Sequence, residues 1–181
     1  MHMKLFFIVV LLILPTQAAK KKSRNIYYLG TKDEANPKYL RQFQVNISKA
    51  RDSMNILVEF GQDVRDMWLT VGVGLWQRSN KNFRSIFSYD IDLCDTLKRI
   101  KSSKIEVLKV WLSNLFKYGN LSTDCPFYKS VYLFRNFKFD KDSIPTYIPA
   151  GKYQTHLCGY RKKMDGSKDI VVSSYLTYEL K

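Results

Sequence analysis

Met67-Trp68-Leu69-Thr70-Val71-Gly72-Val73-Gly74-Leu75-Trp76 alternates without a break. Met67, Leu69, Val71, Val73 and Leu75 fall on one side, and Trp68, Thr70, Gly72, Gly74 and Trp76 on the other. A period of two belongs to a strand with one face toward a core and the other toward solvent. The unbroken aliphatic set is the inward face, which sends Trp68 and Trp76 outward. Gly72 and Gly74 lie inside the strand, where a missing side chain lets a bulky neighbour come close.

The same period extends to both sides of this stretch. Phe43, Val45 and Ile47 share one face of an earlier strand. A polar turn at Lys49–Asp52 leads to Met54, Ile56, Val58 and Phe60 on one face of the next. Phe87, Tyr89, Ile91 and Leu93 follow in the same manner. Later, Tyr132–Phe139 is rich in aromatic and β-branched residues, and Lys152–Arg161 and Asp169–Leu180 are long alternating runs. Met164-Asp165-Gly166-Ser167-Lys168 between them is a hairpin signal. Pro145 and Pro149 in residues 144–151 forbid ordinary ladder pairing, so that segment is an edge or a connection.

One segment keeps a different period. Ile105, Leu108, Trp111, Leu112 and Leu115 recur every three or four residues, the stripe of an amphipathic helix that stops at Gly119. Lys98, Arg99, Lys101 and Lys104 would crowd the end of a helix that disfavours cations. Residues 100–104 are therefore predicted to be a loop, with the helix starting near Lys104. The pattern predicts an all-β antiparallel sandwich of about seven strands, with one helix inserted near 104–118.

The first eighteen residues limit where the chain works. A short basic start, the apolar run Leu5–Leu14 and small residues at Thr16 and Ala18 have the form of a secretory signal peptide, too short to span a bilayer. The predicted organisation is a signal peptide at 1–18, a basic and irregular arm at 19–38 containing Lys20-Lys21-Lys22-Ser23-Arg24, and one domain at 39–181. The expected product is secreted, extracellular and not membrane-spanning. Its formal net charge of +14 falls by one with Lys4 and favours anionic surfaces. Secretion argues against nucleic acid as a partner.

Three cysteines, Cys94, Cys125 and Cys158, allow at most one internal disulfide and leave a thiol over. Asn46-Ile47-Ser48 and Asn120-Leu121-Ser122 are glycosylation sequons. Beyond the signal there is one histidine, His156, inside an alternating strand, which removes multi-histidine chemistry. No Gly-x-Ser-x-Gly turn, Cys-x-x-Cys pair or zinc spacing is present. Asp90 and Asp92 alternate with Tyr89 and Ile91 and read as a solvated strand face. The chain is expected to be no enzyme and to need no cofactor or metal. Its aromatic content of 14% supplies large apolar faces, which can close into a core or stay parted around an apolar ligand.

The C-terminal half carries a more specific series: Cys94, the helix, Cys125-Pro126-Phe127, Tyr132-Leu133, Phe137, Ile144-Pro145, Pro149, Gly151 and Tyr153. Over about residues 85–180 it resembles the insect CheA/CheB-type chemosensory secreted proteins and their relatives with an uncharacterised domain. It is also similar to the ganglioside activator proteins of the ML lipid-recognition superfamily. The resemblance implies an immunoglobulin-like β-sandwich with a lipid cavity between its sheets, and a disulfide between Cys94 and Cys125. The cysteine pair that ties first strand to last in ganglioside activators has no counterpart here, and Cys158 does not match it.

The role so implied is a non-enzymatic carrier or presenter of a lipid, pheromone or cuticular hydrocarbon in chemosensory perception, with a receptor or an anionic surface as a further partner. Met67, Leu69, Val71 and Val73 are the candidates for the cavity wall. Trp111, Leu112 and Phe116 are the candidates for its mouth. Lys98, Arg99, Lys101 and Lys104 are the candidates for contact with an acidic head group. The alternative is a secreted interaction protein with a filled core, binding an anionic glycan or receptor through its basic surface.

Overall fold

The computed structural model describes residues 24–99, 106–140, 144 and 147–181. The signal segment and residues 19–23 of the basic arm lie outside these residues, as do Lys101 and Lys104. Eight strands form two antiparallel sheets. In chain order they are β1 (Ile26–Ala35), β2 (Leu40–Ile47), β3 (Met54–Phe60), β4 (Trp68–Gln77), β5 (Asn82–Asp92), β6 (Val131–Phe137), β7 (Gly151–Lys162) and β8 (Lys168–Leu180). Two helices, α1 (Leu93–Arg99) and α2 (Glu106–Tyr118), lie between β5 and β6. The large sheet runs β1-β8-β7-β4-β5 and the small one β2-β3-β6. The chain is an all-β sandwich.

The inward faces meet in an aromatic core. Tyr28, Phe60, Phe127, Tyr132, Phe134 and Phe137 are buried together with Met54, Leu97, Leu112 and Leu176. Phe60 stacks on Phe127 at 6.0 Å and meets Tyr132 edge-on at 5.6 Å. Such tilted and offset pairs satisfy ring quadrupoles while burying large area. The alternation of β4 sorts as expected: Val71 and Val73 are buried, while the Trp68 and Trp76 rings lie under the ammonium groups of Lys162 and Lys152. The 163–167 turn joins β7 and β8, with Gly166 at φ 80°.

Three features depart from the sequence reading. Residues 26–35 are not irregular but form β1, an edge strand paired with β8. Its alternation is hidden by a register shift between Tyr28 and Gly30: Tyr28 is buried and the intervening Leu29 is exposed. Residues 93–99, of which the alternation places only Leu93, at the end of a strand, form α1. Lys98 and Arg99 occupy its last turn, where cations are favoured, and Arg99 pairs with Asp95 one turn back. The basic pair so terminates one helix rather than crowding the start of another. Finally, Tyr89 is 65% exposed although its alternation points it inward. It lies on β5, an outer strand of the five-stranded sheet, and the facing sheet has only three strands.

Gly119 follows α2 as predicted, but it is not in the left-handed region. A Cβ there would lie 2.3 Å from the ring of Phe134. The glycine is needed because β6 passes against the helix end at the Gly119–Phe134 bridge. In β4, Gly74 has the expected tight neighbours, with Phe83 Cβ 3.2 Å from a built Cβ, whereas Gly72 has only ordinary contacts.

Candidate functional site

The inward face of the large sheet carries a second, smaller apolar cluster apart from the aromatic core. Val73, Tyr153 and Leu180 are its buried members, and Leu75, Phe87, Ile144 and Ile148 pack against them. Strand register explains this grouping. Leu75 of β4 faces Tyr153 of β7, which faces Tyr178 of β8, and Val73 similarly faces Thr155. These residues share one sheet face and form the floor of a cavity of about 440 Å³.

The opposite side of the cavity is built by the β6–β7 connection. Phe139, Ile144, Tyr147, Ile148 and Pro149 line it. The two prolines predicted a segment unable to join a ladder, and its described residues ahead of β7, 144 and 147–150, are in no strand. The Tyr153 hydroxyl donates to the Pro149 carbonyl at 2.7 Å and ties the connection to the floor. Tyr147 is 84% exposed and stands at the rim with Ile86 of β5, which is 55% exposed. Ile86 is the extra residue of a register shift in β5, between the partners of Val73 and Gly74.

None of the described residues lining the cavity carries a formal charge. The Tyr153 and Tyr178 hydroxyls are also held neutral. Burial pushes the Tyr178 phenol up from its ordinary value, opposed by a hydrogen bond that the Thr155 hydroxyl donates at 3.3 Å. Burial likewise pushes up Tyr153, opposed by the charge of Arg24. The Tyr153 and Tyr178 rings stack at 5.9 Å. With their hydroxyls bonded to protein groups, the surface left to a ligand is apolar.

Of the residues expected to bind ligand, the structure brings only Val73 to this cavity. Val71 is buried on the same strand face without lining it, and Leu69 is half-buried. Met67, at the edge of that face, belongs to the aromatic core, as does Leu112; Phe116 packs against the core. No described residue of the helix that carries the candidate mouth residues lines the cavity. The helix instead lies on β6: Tyr118 meets Phe137 edge-on at 5.8 Å, and Asn114 Nδ2 donates to the Lys138 carbonyl at 3.0 Å. Trp111 is in this helix, but its side chain is outside the described ones. Lys98 and Arg99 are on α1 and do not line the cavity.

Leu75 was within reach of the sequence because it continues the alternation that contains Val73, and Phe87 because it opens the next alternating run. Tyr153, Tyr178 and Leu180 lie in runs read as alternating, without an inward face assigned to them. What alternation lacks is strand order, and only the order β8-β7-β4-β5 puts them side by side.

Residues 71–155 match the model of a family described as "Protein of unknown function (DUF1091)". No curated protein matches the chain. All described lining residues except Ile26, Tyr178 and Leu180 fall in the matched span. So do both halves of the Cys94–Cys125 disulfide, whose Cα atoms are 5.6 Å apart. Cys158 is a free, buried thiol. Both sequons are at exposed asparagines. Asn120 is the more constrained, with Nδ2 donating to the Val131 carbonyl at 3.1 Å and Oδ1 accepting from Leu133 N at 2.7 Å. Among the described residues no helix is long and apolar enough to cross a membrane.

Proposed function

We propose that the protein is a secreted, non-enzymatic carrier or presenter of a hydrophobic ligand, a lipid, pheromone or cuticular hydrocarbon, acting in chemosensory perception. The observation that carries this reading is the cavity. Its volume of about 440 Å³ falls within the usual range for small-molecule sites, about 300–1,000 Å³. Its described lining residues are uncharged, and it adjoins a separately packed aromatic core, so the core does not need this space for stability. The resemblance to CheA/CheB-type proteins and ganglioside activators supplies the chemosensory context and the class of ligand.

Titration with a fluorescent fatty-acid probe tests the proposal. Stoichiometric binding, with release of the probe by long-chain lipids, is expected. Leu75→Trp and Ile148→Trp place bulk on opposite walls of the cavity and should each abolish probe binding while circular dichroism stays unchanged. A folded, delipidated protein that binds no probe overturns the carrier reading.

A second reading has its own support on the outer face of the large sheet. There Lys152 lies over Trp76, Lys162 over Trp68 and Lys168 over Tyr160. Ammonium groups held against aromatic faces suit an anionic glycan or receptor surface. Loss of heparin retention in a Lys152→Ala/Lys162→Ala variant, with probe binding intact, would favour it.

A further inference from the structure

Two asparagines, Asn46 and Asn120, stand at opposite edges of the small sheet, and each begins a glycosylation sequon. That sheet runs β2-β3-β6, so β2 and β6 are its edges. An uncovered edge presents unpaired N–H and C=O groups to any passing chain. Asn120 closes one of them. Its main-chain N–H donates to the Leu133 carbonyl at 3.3 Å. Its Nδ2 donates to the Val131 carbonyl at 3.1 Å, and its Oδ1 accepts from the Leu133 N–H at 2.7 Å. One residue thus satisfies three polar groups along the edge of β6.

This clasp excludes a sugar. Both amide atoms face the same strand edge, so the hydrogen donated to Val131 is the one on the oxygen side of Nδ2. A sugar joined to Nδ2 makes a secondary amide, which is trans like a peptide bond. Its first carbon then lies on that same oxygen side, in the place of the donated hydrogen. The segment is also held on both sides, by the Gly119–Phe134 bridge and by the Cys125 disulfide.

Asn46 is the opposite case. It lies in β2 with its side chain exposed. Its Oδ1 accepts from Gln44 Nε2 at 3.3 Å, and no described residue engages Nδ2, the atom that takes the sugar. β2 pairs with β3 and with no strand on its other side. Its stretch Gln42–Ile47 alternates amides with Phe43, Val45 and Ile47, and holds no charge, proline or glycine. That composition favours pairing with copies of itself.

We infer that the glycan is carried at Asn46, where it guards the β2 edge against pairing between chains, and that Asn120 stays bare to close the β6 edge. This rests on the secretion in the proposed function, because only an exported chain meets the glycosyl transferase.

The test is the full chain expressed in insect cells, with the product analysed by intact mass before and after glycosidase and by light scattering. Asn46→Gln should remove the glycan mass, whereas Asn120→Gln should keep it and lower the urea midpoint. Without its glycan, Asn46→Gln should shift from monomer to multimers as concentration rises. Asn46→Lys should also lack the glycan yet stay monomeric, because a lysine guards an edge by its charge. A glycan at Asn120, a bare Asn46 in the secreted wild type, or an Asn46→Gln that stays monomeric overturns the inference and leaves secretion standing. Secretion of the wild type with both Asn46 variants retained in the cell means that the glycan serves folding rather than the edge, and overturns it too. A wild-type chain kept in the cell without glycan overturns both.

Discussion

Gly119 is the position where one added methyl group has the clearest consequence. A Cβ there would meet three atoms of the Phe134 ring at 2.3 to 2.9 Å, and Phe134 is buried in the aromatic core. Neither side can yield without moving β6 or the end of α2. Gly119→Ala should therefore destabilise the fold by about 1–3 kcal/mol, the usual cost of overpacking. Gly72→Ala, with only ordinary contacts, should cost far less. Urea unfolding of the two variants checks the contrast. His156 offers a second test at this scale. Its ring stacks on Tyr175 at 4.2 Å and shares a hydrogen bond with Ser173 at 3.1 Å. Burial, and then the charge of Lys168, lower its pKa. The unfolded chain therefore takes up more protons as pH falls below the ordinary histidine value of about 6.5. Stability should decline from that pH down to the depressed folded-state value, and the decline should be absent in His156→Gln. Asp52, Asp90, Asp165 and Asp169 have lowered pKa values. Their contribution is present above the ordinary carboxylate value and is lost only as pH falls through the lower folded values, so the two windows separate in a Tm-against-pH scan.

At the scale of elements, the disulfide links the start of α1 to the loop ahead of β6 across a separation of 31 residues. Two residues after Cys125, Phe127 enters the core beside Phe60. A crosslink over such a loop restricts the unfolded chain and stabilises by about 3–4 kcal/mol on chain-entropy arguments. Cys94→Ser/Cys125→Ser should lower the free energy of unfolding by that amount, measured in guanidinium. Cys158 should stay unreactive toward thiol reagents until denaturant is added, because it is 6% exposed and burial raises its pKa. The strands that could be read from the sequence were those with uninterrupted alternation, such as β4, and those bounded by a turn signal, such as the β7–β8 hairpin. β1 was missed because the register shift at Leu29 breaks its period. α1 was missed because seven residues with Leu93 and Leu97 one turn apart are too few to distinguish from the end of a strand.

At the scale of the molecule, the arrangement of unequal sheets decides what can be bound. The five-stranded sheet faces a three-stranded one, so part of its inward face is covered not by strands but by the β6–β7 connection. Sequence periodicity gave Val71 and Val73 of β4 as inward correctly and failed at Tyr89 of β5, and it could not say which inward residues the second sheet would leave uncovered. For that reason Val73 was found and Tyr153 and Tyr178 were not. The cavity's depth also sets a limit. Each methylene moved from water into an apolar site contributes about 0.8 kcal/mol. Affinity along a series of saturated chains should climb on the order of tenfold for every two carbons. It should then level off once about 440 Å³ is filled. Because a ligand bound only by the folded state raises stability with concentration, the same series should raise Tm in the same order and stop at the same length. Leu75→Trp fills the floor and should abolish binding along the series, as for the probe. Filler at Leu112→Phe, in the aromatic core away from the cavity, should leave the plateau where it is. Calorimetry across the series measures both, and an affinity that does not change with chain length would count against a cavity that holds the chain.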